Sequence, residues 1–198
     1  MNLALAEFQL PIRISRERPI SDEELLRLSE ASSPLRLERD ANGELIVMSP
    51  TGTGGGRIET RVIVDLGNWA REDGRGEAFG SNTGVKLPDG SVRAADAAWV
   101  SLLRLNSLSE AELKGYAPIC PEFVIEVRSE SDKLAELQAK MELWITNGAE
   151  VGWLIDPIEK AVTIYRAGEE AECLVGPTSV QGTGPVAGFE LVMARVWG

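Results

Sequence analysis

Two acids stand inside runs that otherwise read as apolar strands. Asp96 lies in Arg93-Ala-Ala-Asp96-Ala-Ala-Trp-Val100, and Glu126 lies in Phe123-Val-Ile-Glu126-Val127. Burying an unpaired carboxylate is costly, so a carboxylate kept in mid-strand is expected to be paired or to ligate a metal. Two such strands side by side could present both groups to one divalent cation. Strand alternation places Glu122, Val124, Glu126 and Arg128 on one face and Phe123, Ile125 and Val127 on the other. Two readings fit this pattern: a metal-holding acid pair, or a strand-end ion pair of Glu126 with Arg128 while Asp96 caps a turn.

The rest of the composition narrows the chemistry. The 198 residues include no histidine, which removes Ser-His-Asp and Cys-His hydrolysis, imidazole-based zinc sites and histidine general-base catalysis. Cys120 and Cys173 match neither a CxxC redox pair nor a zinc knuckle, and read as buried thiols without a functional pairing. Polar chemistry is left to carboxylates, Lys, Arg, hydroxyls or an oxygen-ligated metal. The 31 acids against 20 bases give a net charge of -11, with 13 acids and 6 bases falling after residue 120. That balance argues against avid non-specific binding to nucleic acid, whose phosphate backbone is held largely by Lys and Arg.

These side chains must be positioned by a mixed set of elements, expected to form one domain over residues 1–198. Ser21 and Glu24 form a capping-box pattern ahead of a short helix to about Ala31. Asp40-Ala-Asn-Gly43 predicts a hairpin turn between Leu35–Arg39 and Glu44–Met48. Pro50–Gly56 is glycine-dense but lacks the Gly-Lys-Ser/Thr ending of a phosphate loop, and reads as a flexible loop. Ile58, Val62, Leu66 and Trp69 predict an amphipathic helix from Arg57 to about Asp73. Glu77–Leu87 and Val92–Val100 read as one antiparallel hairpin closed at Pro88-Asp-Gly90, and Ser109–Lys114 reads as helical. Glu122–Val127, a helix over Ser131–Asn147 and Val151–Asp156 predict a strand-helix-strand crossover with parallel strands, followed by a further strand at Ala161–Tyr165. The fold class is therefore α/β or α+β: a mixed sheet flanked by helices, with an N-terminal helix and hairpin.

The run from Ala117 through Pro121-Glu-Phe-Val-Ile-Glu126-Val-Arg128 to Lys140-Met141, continuing through Asn147-Gly148 to Gly152-Trp-Leu-Ile-Asp-Pro157, resembles the Uma-type restriction endonuclease-like family. That family belongs to the PD-(D/E)xK nuclease superfamily. The likeness extends back over Leu87–Val100 and weakly to Ser49-Pro50, and it implies a restriction endonuclease-like sheet. It also assigns the motif acids to Asp96 and Glu126. Ala95 replaces the proline before the first acid, and Arg128 stands where the superfamily has lysine. Arginine stays protonated and cannot act as a base. The resemblance instead places the lysine on the next helix at Lys140, with Gln138 beside it, and suggests Glu59 of the first core helix as an added acid.

What the resemblance implies is a Mg²⁺- or Mn²⁺-dependent endonuclease. Asp96, Glu126 and the Val127 carbonyl would bind the cation, with Glu59 as a further ligand. Lys140 would orient water or offset charge, Gln138 would position it, and the products would carry 5′-phosphate and 3′-hydroxyl ends. DNA is the expected partner, bound weakly by the bare protein. A catalytically silent nuclease-like module is the competing expectation, favoured by the charge, Arg128 and Ala95; a glycosidase would also use two acids. A homodimer or higher homo-oligomer is expected, burying edge strands such as Leu191–Val196. No apolar run is long enough to span a bilayer and Met1–Leu10 lacks a basic leader pattern, so the expected location is cytoplasmic, away from membranes.

Overall fold

The computed structural model describes residues 11–197. Met1–Leu10, from which no leader is expected, lies outside the described residues. The chain begins with β1 (Ile12–Ile14), α1 (Asp22–Ala31), β2 (Arg36–Arg39) and β3 (Leu45–Met48). Ser21 caps α1 by accepting the Glu24 amide, while the Glu24 carboxylate turns to Arg16 instead of closing a capping box. The turn between β2 and β3 is built by Asp40, whose Oδ1 accepts the amides of Asn42 and Glu44, and by Gly43 at φ +83°.

The long helix α2 (Thr53–Asp73) starts earlier than its hydrophobic spacing suggests, because Thr53–Gly56 forms its first turn instead of an open loop. Val62, Leu66 and Ala70 bury one stripe, and Gly74 ends the helix in the left-handed region at φ +73°. Four strands follow: β4 (Gly76–Gly80), β5 (Val85–Lys86), β6 (Val92–Arg93) and β7 (Ala97–Ser101). Then come the short helices α3 (Leu102–Leu105) and α4 (Glu110–Leu113), with β8 (Phe123–Val127), α5 (Leu134–Thr146) and β9 (Val151–Asp156) after them. The last elements are β10 (Ala161–Arg166), β11 (Glu172–Val175), β12 (Ser179–Gln181), β13 (Glu190–Val192) and α6 (Ala194–Trp197).

The central sheet has six strands in the order β11-β10-β9-β8-β7-β4, in which only β8 and β9 are parallel. They are joined across α5, as the strand-helix-strand pattern requires. Odd positions of β8 (Phe123, Ile125, Val127) pack with Val62 and Leu66 of α2, whereas Val124 packs with Met141 and Trp144 of α5. The predicted alternation is therefore realised, with one helix on each face. On the α2 side the core is closed by Val186, Phe189, Leu191, Met193 and Val196.

A second sheet of five strands, ordered β1-β3-β2-β6-β5, is covered by Leu25 of α1 and by Ile20, which precedes that helix. Its existence corrects the hairpin expected over Glu77–Val100. The two arms do pair antiparallel, but Gly80 opposes Ala97 in the central sheet while Val85 opposes Arg93 in the second sheet. Four residues, 81–84, lie on one arm of the break against three, 94–96, on the other, so the register slips by one. Asp96 sits in this break, at the seam of two sheets and not in mid-strand. Leu191–Val196 is likewise no sheet edge of six residues: β13 pairs only with β12, and α6 takes over from Ala194. Among the described residues no helix is long and apolar enough to cross a membrane.

Candidate active site

The seam concentrates charge in the interior. Continuing the register Ala97↔Ile125 by one residue puts Asp96 opposite Glu126. Asp96 is 6% exposed and Glu126 2%. Asp96 Oδ2 accepts the Val127 amide at 2.9 Å, and its Oδ1 accepts from the Arg36 guanidinium at 3.3 Å. Glu126 receives the Trp144 indole N–H at 2.9 Å and Lys140 Nζ at 2.9 Å on the same oxygen, with Nζ 3.1 Å from the other oxygen. Lys140 is thus brought to Glu126 from α5, one turn from Trp144.

Arg128 is not part of this arrangement. It lies past the end of β8, where its side chain binds Asp156 of the neighbouring strand at 2.7 Å. The expected alternative of a Glu126–Arg128 pair is therefore replaced by Glu126–Lys140 and Arg128–Asp156. Nor does Asp96 cap a local turn, since its backbone partner comes from β8, 31 residues away.

Three residues of the cluster escaped the sequence reading. Glu38 is 3% exposed; its Oε2 accepts from Arg93 at 2.9 Å, and its Oε1 accepts the Ala94 amide at 3.1 Å and lies 3.4 Å from Lys140. Arg36 and Glu38, two apart on β2, both reach the seam. The available signal was a strand with three charges in four residues, Arg36-Leu-Glu-Arg39, beside the apolar β3.

Burial and charge set the protonation states. Burial pushes Glu126 up to about 7; the Lys140 charge opposes this and the Asp96 charge adds to it. Burial works against the charged form of Lys140, yet Glu126, Glu38 and Asp96 outweigh it and hold the ammonium protonated. Burial also works against ionised Glu38, but Lys140 and Arg93 keep that carboxyl below its ordinary range. Lys140 spends its protons on Glu126, the Ala94 carbonyl at 2.9 Å and Glu38.

Glu59 of α2 stands at the open side. It lines a cleft of about 300 Å³ with Asp96, Thr60, Ser81, Asn82 and Thr83, and accepts the Thr51 hydroxyl at 2.8 Å. Burial raises its pKa, and the charge of Asp96 raises it further. Gln138 is exposed on α5 and makes no side-chain hydrogen bond among the described residues; two residues from Lys140, it is turned roughly 200° away around the helix.

Three cations, Arg36, Arg93 and Lys140, thus face the three buried acids Asp96, Glu38 and Glu126, leaving Glu59 in excess at the cleft. Among the described residues no three acidic or thiol side chains converge as a complete cation shell. The donors that do face each other, Asp96 and Glu126 with Glu59 at the entrance, are hard oxygens. Such a set fits a small cation held by one or two carboxylates that keeps most of its water. Of the two cysteines expected to be buried, Cys120 is, its thiol pushed up to about 12 by that burial, but Cys173 is exposed on the edge strand β11; neither serves the site.

Comparisons with known proteins agree with this architecture. A solved structure described as a putative nuclease belonging to DUF820 from Anabaena variabilis ATCC 29413 matches with a TM-score of 0.74 at 20% identity, covering 90% of this chain and 98% of that one. The two share a fold, of restriction endonuclease-like type. No curated protein gives a match. The family model Uma2, described as "Putative restriction endonuclease", matches residues 22–194. With almost the whole described chain inside that match, the protein belongs to the Uma2 family.

Proposed function

We propose that the chain is an endonuclease of PD-(D/E)xK type that hydrolyses DNA phosphodiester bonds at the Asp96–Glu126 seam with Mg²⁺ or Mn²⁺. The observation that carries this reading is the pair of buried acids set opposite each other at a sheet break, one lining an open cleft and the other bound by a lysine from the next helix. Asp96, Glu126 and the Val127 carbonyl would hold the cation, with Glu59 within reach of the same cleft. When bound, the cation would polarise the phosphodiester and make water more acidic.

The protein's own groups have separable tasks. Asp96 is oriented by the Val127 amide, which fixes one oxygen and leaves the other to Arg36 or a ligand. Lys140 stays protonated, so it offsets charge on the reacting phosphate and does not abstract a proton. It must release one of its present partners to do so. Gln138 would reach the reacting water only by folding back over the helix. A two-fold dimer would set two sites on opposite strands.

The test is cleavage of supercoiled plasmid with Mn²⁺ by wild type, Asp96→Ala and Glu126→Ala. Equal cleavage by all three would refute the reading. One observation favours a catalytically silent module: the three buried acids are already neutralised by three cations. Calorimetry separates the two, because a silent module takes up no divalent cation that Asp96→Ala abolishes.

A further inference from the structure

Among the cations of the seam, Arg36 is the least firmly held. Arg93 and Lys140 lie 2.9 Å from their carboxylates with side chains 9% and 15% exposed, whereas Arg36 lies 3.3 Å from Asp96 and is 23% exposed. Among the described residues its only side-chain hydrogen bond is to Asp96, the acid that also lines the open cleft. A planar guanidinium beside a nuclease cleft is suited to bidentate contact with phosphate oxygens.

Resting on the nuclease reading, we propose that Arg36 is the phosphate-binding residue of this site, parked on Asp96 until a divalent cation takes that carboxylate. The exchange follows from charge. A dication on Asp96 repels a guanidinium hydrogen-bonded to the same group, and the free Arg36 then finds its partner in the incoming phosphodiester anion. Cation and nucleic acid would therefore assist each other's binding, each freeing or occupying what the other needs. The second sheet gains a role beyond bracing the first: β2 carries Arg36 for the substrate and Glu38 for Lys140.

The experiment measures Mn²⁺ binding by calorimetry to wild type, Arg36→Gln and Arg36→Lys, and then binding of a short labelled DNA duplex in Ca²⁺ by anisotropy. Removing the parked cation is expected to tighten Mn²⁺ binding about 10-fold, and removing the phosphate contact to weaken duplex binding about 10-fold at equal Ca²⁺ saturation. Arg36→Lys should fall between, since it keeps the charge without the fork. A purely structural ion pair would leave duplex affinity at equal Ca²⁺ saturation unchanged in variants that melt as wild type does, whatever happens to Mn²⁺ affinity, and that outcome overturns the proposal while plasmid cleavage by the wild type upholds the nuclease reading. Mn²⁺ binding that survives Asp96→Asn removes both readings together. If Arg36→Gln melts early, the wild type still decides: its Arg36 Nε–H resonance should shift on Ca²⁺ and again on duplex, and an unmoved resonance overturns the proposal.

Discussion

Lys140 of α5 and Glu126 of β8 are joined at 2.9 Å although 14 residues separate them, and Glu38 of the second sheet lies 3.4 Å from the same ammonium. Two buried acids from two different sheets therefore depend on one lysine.

Removing that lysine should unfold more than it disarms. Lys140→Ala leaves Glu126 and Glu38 each short of a counter-ion, and breaking a buried pair from one side costs about 3–5 kcal/mol. Urea denaturation should show a loss of that order. The double variant with Glu126→Gln should lose markedly less than the sum of the two single changes.

Asp96→Asn tests the cation site with little change of shape. The amide oxygen still accepts the Val127 N–H, while Arg36 loses its carboxylate, so the fold should persist with a lowered melting temperature. Mn²⁺ affinity should drop by more than about 100-fold, read by calorimetry, and plasmid cleavage should fall with it.

The raised Glu126 carboxyl gives stability a pH dependence of defined sign. Its folded value of about 7 lies above the ordinary 4.5, so the native state binds the extra proton between these two values. The stabilisation is present in full below pH 4.5 and is lost as pH rises through 7, a change on the order of 3 kcal/mol. Denaturation of Glu126→Gln should lack this decline. Wild type and variant diverging in the opposite direction between pH 5 and about 8 would show that the charge of Lys140 dominates burial.

Arg128 stands where the resemblance read from the sequence expects a lysine, but introducing lysine there should not raise activity. Its side chain is committed to Asp156 at 2.7 Å, away from Glu126. Arg128→Lys should cleave plasmid no faster than wild type. Arg128→Ala should cost about 2 kcal/mol in urea denaturation, the worth of a hydrogen bond to a charged group, with Mn²⁺ affinity unchanged.

Much of this protein is local and was legible in the chain. The alternation of Phe123–Val127 places Glu126 on the α5 face before any contact is known, because side chains of a strand alternate whatever they pack against. The spacing of Ile58, Val62, Leu66 and Trp69 makes α2, and Asp40 with Gly43 makes the turn between β2 and β3, for similarly local reasons. The family likeness selected Asp96, Glu126 and Lys140, and the three do lie together around the seam.

What the chain left open was decided by pairings between distant segments. Glu77–Val100 reads as one hairpin because its turn signal and its apolar arms are real; only the competition of two sheets for those arms breaks it at Asp96. Arg36 and Glu38 look like the solvated face of an ordinary strand until β2 pairs with β6, which buries Glu38 and sets the half-buried Arg36 at the seam. Arg128 shares the parity of Glu126, yet the strand ends between them and Asp156 of β9 takes it. Residue types and local periodicity determined which groups could do chemistry and on which face each would stand. Which of them meet, and which cation each buried acid keeps, depended on long-range register, where desolvation makes every unpaired charge find a partner.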